Sequence, residues 1–390
     1  MKGERWKVNL KMVISTAENC QTGSVVLENT ENKEEEYKAM DKIGAKELLG
    51  RLPRVELGFF PTPLYKLEHL SKKLGVELYI KRDDFSGISL FGGNKIRKLE
   101  YLLGDAENRG CDYVFTYGAT QSNHAMQTVS ACRRRGLLPV LYLVAVVDPD
   151  ENDIRANLLL DRIMGAEVHI VNIEEGETEA DAEERSFQMA KEHMARLEAQ
   201  GHRCYEVPMG GASEIGSAGF VGGFIELEEQ LETLGFQADY IFHATGTGGT
   251  MAGLQAGKKL LGSHTEIVSI NVSHKEEIYL QKSADLAGRT LAAIGAEAVK
   301  VAPQDLHTDL NYYQPGYEIP NEASSQAIRL LAREEGLLLD PVYSGKAFAG
   351  MLDYIRTGRV HAGSTVVFWH TGGARALFAE KEILGDLVTL

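Results

Sequence analysis

The sequence predicts an α/β fold with open, twisted, mostly parallel sheets that carry helices on both faces. Short runs rich in β-branched and aromatic residues recur along the chain and are almost wholly apolar. Helical patterns, such as residues 180–200, lie between several of these runs. Apolar strands that alternate with helices are typical of parallel sheets buried on both faces. A chain of 390 residues is long enough for two such domains.

The predicted strands are short and bounded by turn residues. In chain order they are Glu77–Lys81, Tyr113–Tyr117, Val140–Val144, Val168–Val171, Tyr240–Ala244, Ile267–Val272 and Val366–His370. Residues 1–43 differ, because a charged run at 31–36 lacks any apolar period. We expect an N-terminal extension there, either solvated or packed on a partner subunit, with the folded region beginning near Lys46. Loop 149–153 is predicted as a solvent loop, with a cover over the site as the alternative.

Composition and charge narrow the functional classes. The net charge of -15 argues against nucleic acid as a partner, because phosphates require a basic surface. No apolar run approaches the roughly 18 residues of a membrane span, and the N-terminal apolar stretch is too short for a signal peptide. A cytoplasmic protein is therefore expected. The four cysteines lack C-x-x-C spacing and the histidines form no H-E-x-x-H pair, so the sequence predicts no metal site.

A lysine at a loop-to-helix junction is the most informative feature. Gly92 and Gly93 precede Asn94 and Lys95, which open an amphipathic run. The glycines are expected to let the backbone bend and to let a flat ligand approach. A lysine amine can form a Schiff base with an aldehyde cofactor, the usual attachment of pyridoxal phosphate. The alternative is an ordinary solvated lysine in a first helical turn.

A glycine-rich loop follows one predicted strand and predicts a phosphate site. The loop comprises Thr245, Gly246, Thr247, Gly248, Gly249 and Thr250, and a helical run begins at Met251. A loop between strand and helix presents backbone N–H groups and the positive end of a helix dipole. No lysine follows as in a Walker loop, and Met251 breaks the dinucleotide fingerprint, so a small phosphate monoester fits best. A turn without a ligand is the alternative.

Further polar groups follow other predicted strands. Ser122 and Asn123 precede an apolar helix and either cap it or bind a ligand carboxylate. Tyr317 and Tyr343 lie in turns that contain proline and glycine, where a phenol can transfer a proton or remain a core hydroxyl. Thr371 follows the last strand, and its hydroxyl is well placed for a ring nitrogen.

Six ordered motifs together resemble a known family. They lie between about Arg51 and Phe378 and are Phe60–Leu64, Ile80–Asp84, Gly92–Lys95, Gln121–His124, Asp340–Val342 with Tyr343, Gly345 and Lys346, and His370–Gly373. The chain resembles the fold-type II pyridoxal-phosphate enzymes of the 1-aminocyclopropane-1-carboxylate deaminase and D-cysteine desulfhydrase group. The resemblance implies a homodimer that acts on a small amino acid. It also implies two α/β domains with the cofactor between them: a large cofactor-binding domain, 46–98 plus 207–390, and a small domain, 99–206.

The resemblance assigns roles by position. Lys95 becomes the Schiff-base lysine, with Lys346 as its rival, and loop 246–250 holds the phosphate. Ser122 and Asn123 meet the substrate carboxylate and the cofactor, and Tyr317 and Tyr343 face the substrate. By their place in the motifs, Asn94, Thr245, Ser344 and Thr371 are assigned to cofactor binding and His124 to substrate binding.

One position bears on the substrate. The deaminase branch has glutamate immediately after the tyrosine that matches Tyr343, where this chain has Ser344. A carboxylate would keep the ring nitrogen protonated, whereas the hydroxyl of Ser344, helped by Thr371, supports a weaker electron sink. We therefore expect α,β-elimination from D-cysteine to pyruvate, ammonia and sulfide. The alternatives are 1-aminocyclopropane-1-carboxylate deaminase, L-cysteate sulfo-lyase or β-chloro-D-alanine lyase activity, and a catalytically silent protein that binds the cofactor.

Overall fold

The computed structural model describes residues 39–87, 92–146, 154–317 and 319–378. Most of the predicted N-terminal extension and the predicted loop 149–153 lie outside the described residues. Helix α1 begins at Lys42, inside the stretch assigned to the extension and ahead of the expected start at Lys46. Its start is set by Asp41, whose carboxylate accepts a hydrogen bond from the backbone N–H of Gly44 at 2.7 Å.

The strands form one sheet of six and one of four. They are β1 Leu64–Lys66, β2 Glu77–Arg82, β3 Tyr113–Ala119, β4 Leu138–Ala145, β5 Glu167–Asn172, β6 Cys204–Val207, β7 Tyr240–Thr245, β8 Glu266–Asn271, β9 His307–Asp309 and β10 Thr365–His370. The large sheet has the order β1-β2-β10-β7-β8-β9, and the small sheet has the order β5-β4-β3-β6. All neighbours are parallel except β1 and β2.

Eleven α-helices connect the strands in the described part of the chain. They are α1 Lys42–Leu49, α2 Glu68–Leu74, α3 Lys95–Asn108, α4 Asn123–Arg135, α5 Ala156–Ile163, α6 Glu179–Ala199, α7 Glu214–Leu234, α8 Gly249–Leu261, α9 Tyr279–Ala293, α10 Glu322–Glu335 and α11 Ser344–Arg356. Among these helices none combines the length and the hydropathy that a bilayer-spanning segment requires.

Helices cover both faces of each sheet, as the apolar strands predicted. Along β10, Phe368 packs with residues of α10 and α11, whereas Trp369 points to the other face and packs with α7 and α8. In β4, Leu141 packs against α4 and α5, whereas Tyr142 packs against α6. Successive side chains of a strand point to opposite faces, so strands covered on both sides must be apolar throughout.

The loops that carry the predicted motifs leave the carboxyl ends of parallel strands. The loop after β10 is tied to the loop before α3 by a bridge between Gly93 and Gly372. The backbone N–H of Asn94 also donates to the carbonyl oxygen of Thr371 at 3.0 Å. Loops at this edge of an α/β sheet commonly bind ligands. The topology therefore brings distant motifs to one place.

A buried ionic network fixes α3 to the large sheet. Arg97 is 4% exposed, and its guanidinium contacts the carboxylates of Asp83 at 2.8 Å and Glu226 at 2.9 Å. Lys81 also binds Glu226. Burial alone would raise the pKa of Glu226, but Arg97 and Lys81 lower it to about 2. The network joins β2, α3 and α7, and α3 begins at Lys95.

Replacing Arg97 with methionine should destabilise the fold strongly. The substitution leaves two buried carboxylates without their main counter-charge, so we expect the free energy of unfolding to fall by about 3–5 kcal/mol. Urea titration of the apoprotein measures it. Lys46→Met is the matched control, because it breaks the exposed pair with Glu229 and should cost less than about 1 kcal/mol. Equal losses in the two variants would contradict a special role for the buried network.

Candidate active site

A cavity of about 970 Å³ lies among loops from both sheets. Twelve of the residues predicted for the site line it: Asn94, Lys95, Ser122, His124, Thr245, Gly246, Thr247, Gly248, Thr250, Tyr317, Tyr343 and Thr371. Asn123, Gly249 and Ser344 were also predicted for the site but do not line the cavity. The cavity is therefore the candidate active site. Gly249 opens α8 beside it, and the side chains of Asn123 and Ser344 are hydrogen-bonded to other protein groups.

Lys95 is the first residue of α3, and its amine faces the cavity. The Nζ atom lies 5.3 Å from the centre of the Tyr343 ring. Burial lowers the pKa of this amine to about 8, although Asp340 opposes the change, and Arg375 lowers the pKa further. About a tenth of the amine is then unprotonated at pH 7, far more than for an ordinary lysine, which makes Lys95 a competent nucleophile and base.

The structure shows a packing reason for the glycines before Lys95. Neither has a left-handed φ. A Cβ atom on Gly92 would lie 2.6 Å from the carbonyl oxygen of Asp84, and one on Gly93 would lie 2.5 Å from Nε2 of Gln127. Close packing against the protein itself therefore requires glycine here.

Lys346, the alternative Schiff-base lysine, is hydrogen-bonded to backbone carbonyl oxygens outside the cavity. Lys346 is fully buried and does not line the cavity. Its amine donates to the carbonyl oxygens of Tyr313 at 3.1 Å and Gly316 at 2.7 Å. Burial also lowers the pKa of Lys346 to about 8. Its geometry is that of a clamp on the 313–316 turn, so the structure favours Lys95 for the covalent role.

The glycine-rich loop runs from the end of β7 into α8. Gly248 has φ +87°, a left-handed conformation that glycine adopts without strain. Asn94 donates from Nδ2 to the hydroxyl oxygen of Thr250 at 3.1 Å, which ties this loop to the start of α3. The N-terminus of α8 has no side-chain cap. Its first N–H groups and the positive end of its dipole are available to an anion.

Lys98 strengthens the case for a phosphate and was missed by the sequence reasoning. It lines the cavity at 2% exposure, and its amine donates to the carbonyl oxygen of Gly210 at 3.0 Å. A Cβ atom on Gly249 would lie 2.8 Å from this amine, so Lys98 lies beside the start of α8. A buried amine beside a positive helix terminus is unfavourable without an anion. A phosphate monoester would offset the positive charge of the Lys98 amine and that of the helix terminus.

The start of α4 offers a second anion site. Ser122 caps this helix, because its hydroxyl oxygen accepts the N–H of Ala125 at 3.2 Å. Its hydroxyl hydrogen remains available to a ligand. His124 is buried, and its Nε2 contacts the Thr116 hydroxyl at 2.8 Å. Because that hydroxyl donates to the carbonyl oxygen of Val207, Nε2 must carry the proton and donate to it. Nδ1 is then a buried acceptor that has no hydrogen-bond partner among the described residues.

Asn123 is held by a network behind the cavity. Its Oδ1 accepts from Nδ2 of Asn157 at 3.0 Å and from the guanidinium of Arg375 at 2.8 Å. Arg375 also donates from Nε to Oδ1 of Asn157 at 2.6 Å. Burial lowers the pKa of Arg375 to about 10, with Asp161 opposing. This network sets the orientation of the 121–124 loop, and sequence spacing gave no indication of it.

The two predicted tyrosines meet in the cavity. The hydroxyl groups of Tyr317 and Tyr343 are hydrogen-bonded to each other, and their rings are perpendicular with centres 5.9 Å apart. Phenols that share a hydrogen bond can pass a proton between them. The pair lies on the same side as the Lys95 amine, given its contact with the Tyr343 ring.

Ser344 does not present its hydroxyl to the cavity. The hydroxyl donates to a carboxylate oxygen of Asp340 and accepts the N–H of Asp340 at 2.9 Å. The Asp340 carboxylate also accepts the N–H groups of Val342, Tyr343 and Ser344 at 2.7–3.0 Å. The carboxylate is thus occupied at the start of α11. Thr371 lines the cavity instead, so it is the better-placed hydroxyl of the two.

Comparisons with known proteins bear on this site. A family model described as pyridoxal-phosphate dependent enzyme matches residues 55–372. A D-cysteine desulfhydrase from Salmonella paratyphi C is 39% identical over 335 residues, 85% of this chain and 97% of the relative. A relative from Pyrococcus abyssi, provisionally named 1-aminocyclopropane-1-carboxylate deaminase, is 39% identical over 341 residues, 87% of this chain and 98% of the relative.

Solved structures also resemble this chain over most of its length. A crystal structure of a homologue of 1-aminocyclopropane-1-carboxylate deaminase covers 89% of this chain and 99% of its own, with a TM-score of 0.77 and 37% identity. Threonine deaminase isoform 2 from Solanum lycopersicum, at 19% identity, covers 90% and 91% with a TM-score of 0.59 and shows the shared fold alone. The predicted fold class, that of fold-type II enzymes, is confirmed.

The pKa of Lys95 predicts how the apoprotein takes up an aldehyde. Only the unprotonated amine attacks a carbonyl, and its fraction rises as pH passes about 8. We expect the rate of covalent attachment of pyridoxal phosphate, followed by visible absorbance, to rise from about pH 7 and level off near about pH 9. A lysine peptide mixed with the same cofactor is the reference, since its amine titrates near about pH 10.4. Parallel profiles for protein and peptide would contradict the lowered pKa.

Proposed function

This chain belongs to the pyridoxal-phosphate dependent enzyme family, and we propose that it eliminates the β-substituent of D-cysteine to give pyruvate, ammonia and sulfide. Family membership confirms the predicted cofactor and the enzyme class. The residues at the cavity fit the cofactor, because Lys98 and an uncapped helix start flank the space for its phosphate and Lys95 lines the same cavity. When bound, pyridoxal phosphate withdraws electrons from the α-carbon of the amino acid.

Lys95 is the base in this proposal. Its amine faces the cavity and has a pKa near 8, so it can hold the cofactor aldehyde at rest and accept the α-proton of the substrate. Fixing the amine at the start of a rigid helix makes proton transfer effectively intramolecular. The paired hydroxyls of Tyr317 and Tyr343 then supply a proton to the departing thiolate.

The start of α4 orients the substrate. The carboxylate of the substrate would bind the free hydroxyl hydrogen of Ser122 and the N–H groups of the first turn of α4, where the dipole is positive. The phosphate would bind the first N–H groups of α8, the Thr247 and Thr250 hydroxyls and the Lys98 amine. Thr371 would donate to the ring nitrogen.

The absence of a carboxylate for the ring nitrogen carries the choice of substrate. Among the described residues that line the cavity, the acidic ones are Glu179, Glu183 and Glu276. Glu179 and Glu183 lie in the first turns of α6 and Glu276 lies between β8 and α9, so none of them belongs to β10 or α11. Asp340 is occupied by its own backbone contacts. A neutral ring is a weaker electron sink, which suffices to expel a thiolate but suits cyclopropane opening less well.

A second candidate is deamination of 1-aminocyclopropane-1-carboxylate. Relatives that carry this name and relatives named D-cysteine desulfhydrase are equally similar to the chain, at 39% identity. A homodimer, as the family resemblance implies, forms part of the proposal under either activity.

A substrate panel tests the proposal directly. The holoenzyme is mixed with D-cysteine, L-cysteine, L-cysteate, β-chloro-D-alanine and 1-aminocyclopropane-1-carboxylate, and pyruvate, sulfide, sulfite, chloride and 2-ketobutyrate are measured. We expect D-cysteine to give equal amounts of pyruvate and sulfide, with kcat/KM at least about tenfold above every other substrate, or ~1.4 kcal/mol in the transition state. Preferred release of 2-ketobutyrate would select the deaminase. No product from any substrate, with cofactor bound, would indicate a silent protein.

Two matched hydroxyl variants test the reason for this choice. Thr371→Val removes a hydroxyl that lines the cavity, and we expect kcat for D-cysteine to fall about 10- to 100-fold with a smaller change in KM. Ser344→Ala removes a hydroxyl that is bound to Asp340. We expect it to lower the free energy of unfolding, while kcat for D-cysteine falls less than it does in Thr371→Val. A larger fall in kcat in Ser344→Ala than in Thr371→Val would instead indicate that Ser344 donates to the ring nitrogen.

A further inference from the structure

Three potential metal ligands meet outside the cavity. They are Glu167, His169 and His193, and one ligand atom from each lies within 4.8 Å of the other two. Oε1 of Glu167 is 2.8 Å from Nε2 of His169 and 3.8 Å from Nε2 of His193. None of the three lines the candidate active site. Among the described residues this is the group of three or more such side chains that could hold one ion.

The fold explains why they meet. Glu167 and His169 are two residues apart on β5 and so share one face of the strand. Helix α6 packs on that face and carries His193. The two histidines are 24 positions apart in the sequence, joined by a strand end, a turn and most of a helix. No short spacing motif could have revealed them, which is why the sequence predicted no metal site.

Aromatic neighbours hold both imidazole rings in place. The His169 ring stacks on the ring of Tyr142, with centres 4.5 Å apart and an angle of 11°. Nδ1 of His193 lies 3.2 Å from the hydroxyl of Tyr142, and Phe115 packs edge-on against the same ring. In the tautomer in which Nδ1 of His193 donates to the phenol oxygen, Nε2 presents a lone pair on the side of Glu167.

We propose that Glu167, His169 and His193 bind one divalent transition-metal ion of the zinc class, with a further position open to water. Two imidazoles and a carboxylate are donors that Zn²⁺ accepts in proteins. Ligands about 2.0–2.1 Å from a tetrahedral ion lie roughly 3.3 Å from one another, and the two observed separations lie on either side of that value. Small side-chain rotations would therefore close the site.

Two other surface pairs provide the contrast. His202 lies 2.6 Å from Asp112, and His307 lies 2.6 Å from Glu266. Each is a histidine against a carboxylate, but neither forms part of a group of three ligands among the described residues. A single hydrogen bond between imidazole and carboxylate describes each pair. The pair between His169 and Glu167 has the third ligand that they lack.

Titration of the holoenzyme with Zn²⁺ tests the proposal. The protein is first treated with chelator, and binding is measured by calorimetry at pH 7.5. We expect one ion per chain in the wild type, binding about 100-fold weaker in His169→Gln and in His193→Gln, and about tenfold weaker in Tyr142→Phe. His202→Gln should bind as the wild type does. Circular dichroism and the cofactor absorbance verify that each variant is folded.

Two results would overturn the proposal. One is the lack of saturable binding in the wild type up to millimolar Zn²⁺. The other is equal affinity in the wild type, His169→Gln and His193→Gln, which would place the ion elsewhere, such as on a thiol or an acidic surface. His169 is partly exposed, whereas His193 is more buried, so damage to the fold should differ between the two variants. A similar loss of Zn²⁺ affinity in both therefore indicates loss of a ligand.

Discussion

The position of Lys95 depends on the buried ion pairs that hold α3 against the large sheet. Arg97 lies two residues after the lysine, and its guanidinium is fixed by Asp83 and Glu226. A buried guanidinium with two carboxylates tolerates little movement, because each displacement leaves a charge without its partner. The amine of Lys95 is therefore carried by a helix start that buried ion pairs fix to the large sheet.

The parallel topology of the two sheets brings the other candidate site residues together. The 121–124 loop leaves the small sheet, whereas the glycine-rich loop and Thr371 leave the large sheet, and all line or support one cavity. Two helix starts, those of α4 and α8, direct their positive ends to it. In the proposed function, the substrate carboxylate and the cofactor phosphate would each bind at one such terminus. The arrangement explains how an acidic chain, with net charge -15, can hold two anions side by side.

Much of this could be predicted from the sequence. The seven predicted strands are present, because buried parallel strands have a plain apolar signature. The three strands that were missed, β1, β6 and β9, have only three or four residues, too few for a pattern. Lys98 could have been found, since it lies one turn after Lys95 on the same helix face. The partners of Ser344 and Asn123 could not, because a sequence does not show which neighbour takes a hydroxyl or an amide. The meeting of His169 with His193 depends on tertiary packing in the same way.

The covalent role of Lys95 is the central claim, and reduction with borohydride tests it most directly. Cofactor-saturated protein is treated with borohydride, which fixes the bond between lysine and cofactor, and the peptides are mapped by mass spectrometry. The account predicts a single reduced adduct on Lys95. An adduct on Lys346 or on any other lysine, or none in a saturated sample, would contradict it.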